Sequence, residues 1–297
     1  MVGAMRRGLR LAAVLAAWSA STAAVCAATP QAAEPELDAR AGSGITRPLW
    51  ELGLGAAGLR MPDYRGANQS RSYLLPLPYV VYRGTWFKAD RDGARAVLLD
   101  SSRIKMDVSL AATAPTRSED NDARRGMRNL KGLVELGPNL NVELAHSVPG
   151  RWKLDLRLPL RAAFTLEKSP RFVGSTFSPN LNLDMASVAG GWNVGLLTGP
   201  VFGDSRYHRY VYGVGAADAT TARPAYAARG GYGGWQALAS TSRRFGNTWV
   251  GAFMRYDRLD GATFEDSPLM RRKSSLAFGL GVSWILATSS ERVASRD

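Results

Sequence analysis

Thiols and soft metal ligands are nearly missing from this chain: its 297 residues hold one cysteine, Cys26, and two histidines, His146 and His208. A zinc site of ordinary Cys/His spacing is thereby excluded, and no intrachain disulfide can form. Beyond the N-terminus no uninterrupted apolar run approaches the ~18 residues that a membrane-spanning helix needs. Charge is sparse at 21% of residues and short of acid, with 25 Asp and Glu against 38 Lys and Arg, a formal +13. Such an excess first suggests nucleic acid, but here the cations are scattered and form no stripe, so nucleic acid is not read as a partner. The glycine run Gly230, Gly231, Gly233 and Gly234 lacks the Lys-Ser/Thr and the helix of a phosphate loop, and no cofactor is implied. Asp204, Ser205 and His208 fall within one loop window, too short a stretch to converge as a hydrolytic triad. No catalytic set is read, and the chain is not read as an enzyme.

What is present begins with Arg6, Arg7 and Arg10 ahead of an apolar stretch from Leu11 to about Ala24 and small residues around Cys26. That is the layout of a secretory signal peptide over residues 1–28. Its removal takes three of the 38 basic residues and none of the 25 acidic ones, leaving a net charge of about +10 and no cysteine. Residues 29–48, rich in Ala, Pro and Gly, read as a flexible lead.

From Leu49 onward the signal is alternation at period two. Trp152, Leu154, Leu156, Leu158 and Leu160 stand against Lys153, Asp155, Arg157 and Arg161. Similar faces oppose Lys105 and Asp107, and again Glu135 and Glu143. The expected fold is all-β: an antiparallel transmembrane β-barrel over residues 49–286 with about twelve strands, ten if residues 85–100 form one irregular hairpin, and a tail over 287–297. Three features favour a membrane barrel over a soluble sandwich. Strands are long, no helical segment is in evidence, and aromatics (Trp50, Tyr73, Trp152, Phe177, Trp192, Tyr232, Trp249, Tyr256, Trp284) sit near strand ends as interfacial girdles. Tight turns alternate with longer connections, which places the turns and both termini in the periplasm and the long loops outside. Gly279, Val282 and Trp284 resemble the C-terminal recognition signal of such barrels, although the chain runs on to Asp297.

The charged set Lys105, Asp107, Glu135, Glu143, Lys153, Asp155, Arg157 and Arg161 is assigned to the lumen, either as a mutually paired filling or as the lining of a narrow polar pore. The loop arginines face lipopolysaccharide phosphate on this topology, making outer-membrane lipid and lipopolysaccharide expected partners.

The loops carry a further pattern: Pro62-Asp63-Tyr64-Arg65-Gly66, Leu75-Pro76-Leu77-Pro78-Tyr79, Arg206-Tyr207-His208 with Tyr210 and Gly213, and Ser267-Pro268-Leu269. In order and spacing this resembles the MipA/OmpV family of Gram-negative outer-membrane proteins. The resemblance implies a cell-envelope scaffold joining a lytic transglycosylase of the MltA type to a bifunctional murein synthase, with porin-like and adhesive surface proteins as the alternatives. It supplies no catalytic residue.

Overall fold

The computed structural model describes residues 46–84, 87–90, 93–101, 103–147 and 151–294. The expected signal peptide and the lead up to residue 45 lie outside the described residues. After β1 (Thr46–Pro48), thirteen strands build one antiparallel sheet: β2 (Trp50–Pro62), β3 (Ser70–Arg83), β4 (Phe87–Asp90), β5 (Gly93–Asp100), β6 (Ile104–Thr113), β7 (Leu133–His146), β8 (Trp152–Thr165), β9 (Phe172–Phe177), β10 (Asn180–Val188), β11 (Trp192–Gly203), β12 (Gly231–Phe245), β13 (Thr248–Arg258) and β14 (Ser274–Thr288). The sheet closes on itself, since β14 pairs with β2 along most of its length; its weakest seam is at β4 and β5, where, among the described residues, β3 meets β4 only at Tyr82 and Arg83. β9 and β10 occupy a single position, pairing with successive halves of β8 and β11. The ring therefore has twelve positions: β4 also pairs with β3 and β5 with β6, so both are members of the ring, which decides against ten. The break between β9 and β10 falls at Pro179, which has no N–H to give to a ladder. Opposite it, Gly199 presses so closely on the Pro179 carbonyl that a Cβ would overlap it.

Long connections (residues 114–132, 204–230 and 259–273) emerge at one end, and short turns such as 189–191 and 246–247 at the other. At the short-turn end β1, the last part of the expected lead, pairs antiparallel with β15 (Arg292–Ala294) in the expected tail. Side chains alternate as period two requires. Leu54, Leu74, Leu280 and Leu286 point outward, are more than half exposed, and form part of the apolar belt.

The inner face is divided. From β6 to β10 it is polar, with Lys105, Asp107, Glu135, Asn139, Asp155, Arg157, Asn182 and Asp184. From the first half of β13 through β14 and β2 to β3 it is mainly apolar, with Glu51 at the short-turn end and Arg255 and Asp257 under the cap. There β2 and β14 turn Gly53, Gly55, Ala57, Gly279, Gly281 and Ser283 inward, and the larger side chains of β3 and β13 lean over them. Leu77 lies against Gly281, Phe253 against Gly279, and Tyr79 meets Trp249 at 6.4 Å between ring centroids. Trp249 is thus a buried lumen residue packed with Val81 and Ile285, and Tyr73 shares the inner face with Arg71 and Leu75. Neither belongs to the girdle expected from the sequence. Trp152, Phe177, Tyr256 and Trp284 do point outward.

Candidate functional site

The long connections do not stand clear of the barrel: they fold across its mouth and pack into a core of their own. Tyr64, Ala67, Ala123, Met127, Leu130, Tyr212, Val214, Ala228, Ala262, Phe264 and Leu269 are all buried there, drawn from four loops remote in sequence. At its centre Tyr212 and Phe264 stack face to face, with 3.6 Å between centroids and 8° between planes. The His208 ring stands edge-on to Phe264 at 4.7 Å.

An eight-residue helix, α1 (Ser205–Tyr212), organises this cap and corrects the expectation of a barrel without helix. Asp204 is its N-cap: one carboxylate oxygen accepts from Tyr207 N at 2.7 Å and the other from Ser175 N at 2.8 Å, tying the helix to β9. Gly213 ends it, donating to the Arg209 carbonyl. His208 and Tyr212, at i and i+4, face the cap core, while Ser205, Arg206 and Arg209 face outward. The docking depends on Gly174 in β9, whose φ of +126° suits glycine alone and whose missing Cβ leaves room for Asp204 and Tyr207.

Hydrogen bonds lock the loops together. Asp63 accepts from Arg71 Nε at 2.7 Å and from Asn121 Nδ2 at 2.7 Å, and its carbonyl accepts from Thr116 Oγ1. Tyr64 donates its hydroxyl to the Leu269 carbonyl, and burial pushes its pKa up to about 12. Tyr212 donates to the Arg65 carbonyl, and Ser267 to that of Tyr212. Gly66, at φ +88°, donates to Ser275 Oγ, and its carbonyl accepts from both Arg271 N and Arg272 N. Arg124 is buried, gives Nη1 to the Val211 carbonyl at 2.9 Å, and sits 5.9 Å from the Tyr64 ring centroid. Arg223 gives its guanidinium to the carbonyls of Asp218, Ala123 and Arg125. These two arginines are staples of the cap and do not face outside phosphate, contrary to the sequence reading of the loop cations. His208 Nδ1 bonds the Arg229 carbonyl at 2.8 Å. Burial lowers the His208 pKa against that bond, and the Arg65 charge lowers it further, so the imidazole is neutral at physiological pH.

Below the cap the lumen is crossed by a polar network. Tyr207 reaches down from α1 and donates to Glu135 Oε1 at 3.0 Å, while Thr176 donates to Oε2. Burial, then the neighbouring Glu135 charge, holds the Tyr207 pKa well above its ordinary value. Arg65 and Arg255 both pair with Asp257 at 2.9 Å. Lys153 pairs with Asp155 at 3.0 Å, and Arg157 with Asp184 at 3.3 Å. Arg161 donates to Ser109 Oγ, and Asp107 accepts from Asn139 and Asn141. Lys105 lies on the inner face of β6 beside Asn141. Glu143 and His146 form a pair at the short-turn end. The lumen candidates therefore line one wall. The loop-motif residues Asp63, Tyr64, Arg65, Gly66, Tyr207, His208, Tyr210, Gly213, Ser267 and Leu269 build the cap. Tyr210 bonds Lys131, Pro62 ends β2, Pro268 lies between two buried cap residues, and Arg206 stays outside, 5.2 Å from the Phe172 ring centroid. Sequence reasoning missed Asp257, Glu51 and Arg255, whose strands carry apolar or neutral residues on both faces; Asp184 falls on the polar side of an alternating strand but lies outside the predicted lumen set. The N-cap aspartate, the i, i+4 aromatic spacing and Gly213 are the signals that could have found α1.

No curated protein sequence matches the chain. Among solved structures it is similar to a bacterial polysaccharide outer-membrane secretin, at 8% identity over 80% of this chain and 99% of that one with a TM-score of 0.42. It is also similar to the β domain of the Bordetella autotransporter BrkA, at 11% identity over 80% of this chain and 100% of that one with a TM-score of 0.37. The outer membrane phospholipase A from Escherichia coli is similar at 10% identity over 84% of this chain and 97% of that one, with a TM-score of 0.30. The family model described as MltA-interacting protein MipA matches residues 54–286, which takes in nearly all of the barrel and every loop of its cap, and the chain belongs to the MipA family of outer-membrane β-barrel proteins.

Proposed function

We propose that this protein is a structural scaffold of the outer membrane, exported by its signal peptide, which links an MltA-type lytic transglycosylase to a bifunctional murein synthase at the periplasmic face. The observation that carries this reading is the cap. A protein whose task is free passage of solutes has no use for four loops packed into a buried apolar core over its mouth, whereas a scaffold gains from a rigid, closed barrel. The family description as an MltA-interacting protein supports the choice of partner. β1 and β15 add a short sheet at the short-turn end, where the turns alone offer little surface. The test is affinity capture of a purified MltA-type enzyme on the immobilised full chain. Saturable retention is expected. Retention no greater than on an unrelated barrel would contradict the reading.

A porin-like channel is the second reading, favoured by the charged wall of β6 to β10. On either reading the outward cations of the cap, Arg271, Arg272 and Lys273, face lipopolysaccharide phosphate; all three are exposed, and Lys273 also pairs with Glu265. Replacing the three with alanine is expected to lower the lipopolysaccharide retained on purification by about five-fold or more, as a total loss of about 1 kcal/mol or more from these exposed contacts would give. Equal retention would remove this contact from the account.

A further inference from the structure

The lumen pairs share an asymmetry that their formal charges conceal. The paired carboxylates are almost sealed from water: Asp155, Asp257 and Asp184 side chains are 4%, 5% and 9% exposed. Their cationic partners are not sealed: Lys153, Arg65, Arg157 and Arg255 keep 21%, 23%, 23% and 33% of their surface open. These residues sit on the inner face of the barrel or beneath its cap, so the water they meet is water inside the protein. Arg161 adds another guanidinium within Coulombic reach of Arg255. Facing Arg157 and Arg161 across the lumen is the apolar inner face of β2 and β3, with Leu59 and Leu75. Glu135 and Asp107 lie within reach of Arg161 as well, but Glu135 accepts from Tyr207 and Thr176 and Asp107 from Asn139 and Asn141, so the open hydrogen-bond donors are the cationic ones, and a low-dielectric wall opposite them strengthens their field in the space between.

We propose that the lumen beneath the cap is a binding chamber for a small free anion, of carboxylate, phosphate or sulfonate chemistry, received by Arg157, Arg161 and Arg255. Asp184 and Asp257 hold Arg157 and Arg255 in place, and Ser109 holds Arg161; the two carboxylates offset charge while presenting little negative surface to the solute. Guanidinium groups suit this role because each can give two parallel N–H bonds to such a group while keeping one for its wall partner. The inference goes beyond the scaffold reading and does not depend on it: a capped barrel can hold an anion without conducting one.

The test uses the full chain, folded in detergent, with Cys26→Ser to remove the native thiol and Gln236→Cys as a reporter. Gln236 lies on the inner face of β12, directly opposite Asp257 in the ladder. The reporter is reacted in parallel with two methanethiosulfonates of similar size, one carrying a sulfonate and one a trimethylammonium group. The same thiolate attacks the sulfenyl sulfur of either reagent, forming a mixed disulfide and releasing methanesulfinate, so the ratio of their rates is independent of its pKa once referred to 2-mercaptoethanol. The anionic reagent is expected to be favoured by about 10-fold or more over that reference, the scale of focusing by a charged cleft. Adding Arg157→Gln and Arg161→Gln should bring the ratio most of the way back to the reference. A ratio at or below the reference in the parent protein would overturn the proposal, as would failure of both reagents to react. Should the double variant fail to fold, the parent ratio and its suppression by 0.5 M salt, against ~10 Å of screening length at 0.1 M, still decide the matter.

Discussion

Replacing Phe264 with alanine is expected to open the cap while leaving the barrel intact. Phe264 is 1% exposed, stacked on Tyr212 and edge-on to His208, so its loss removes the one ring that joins the 259–273 loop to α1. Truncation of a buried Phe costs about 3–5 kcal/mol. Here the loss falls on a unit held by loop contacts and not by the ladder of the sheet. Local unfolding free energy should drop by that amount, so amide exchange in residues 204–230 and 259–273 should quicken by roughly 10²-fold or more, with new protease cleavage in the same loops. The temperature at which the compact barrel band on a gel converts to the unfolded band should scarcely move. If exchange in the loops stays unchanged, the packed cap is not what protects them.

The opposite pattern is expected at the other end of the barrel. Glu51, 1% exposed on β2, accepts from Arg83 Nη2 and from Arg244 Nη1, both at 2.7 Å, and so ties β2 to β3 and, across the lumen wall, to β12. Glu51→Ala leaves two guanidinium groups facing each other with no anion between them. Removing one member of a buried pair costs several kcal/mol; the partial exposure of both arginines lets water recover some of it, leaving a loss of roughly 3 kcal/mol. Because this network belongs to the barrel, the gel conversion temperature should fall by roughly 10 °C, with exchange in the cap loops unaffected. Glu51→Gln should recover part of the loss by keeping one acceptor. A variant as heat-resistant as the parent would show that the network does not hold the barrel together.

These two substitutions separate what could be read from the sequence and what could not. The wall from β6 to β10 was legible residue by residue, because each strand there carries apolar side chains on one face and charged or amide side chains on the other. Leu154, Leu156 and Leu158 against Lys153, Asp155 and Arg157 admit one orientation only. β3 and β13 admit two: Tyr73, Leu75, Leu77, Tyr79 and Val81 are no less apolar than Leu74, Val80 and Tyr82 between them, and Trp249 and Phe253 alternate with Val250 and Met254. An aromatic at such a strand end says nothing about which face it takes, which is why Trp249 and Tyr73 read as girdle residues and are found inside. The deciding information lay on neighbouring strands, where the glycines of β2 and β14 leave room for those rings.

The cap was legible as a set of residues and not as a structure. The loop motifs that carry the family resemblance, from Asp63 to Gly66, Tyr207 to Gly213 and Ser267 to Leu269, lie far apart in the chain and show no period. Nothing local tells that Tyr64 will donate to Leu269 or Ser267 to Tyr212. Those partners meet only because the closed sheet brings the loops to one rim. For the same reason Arg124 and Arg223 counted as surface cations in the sequence, although each spends its donors on backbone carbonyls inside the cap.

The central claim is that the mouth of this outer-membrane barrel is closed by its own loops, and conductance tests it most directly. The purified full chain inserted into a planar bilayer in 1 M KCl is expected to give no stable ion-conducting steps at moderate voltage, while the Phe264→Ala protein gives them intermittently as its cap opens. Steady open-channel steps from the parent protein, equal in size to those of the variant, would contradict the account.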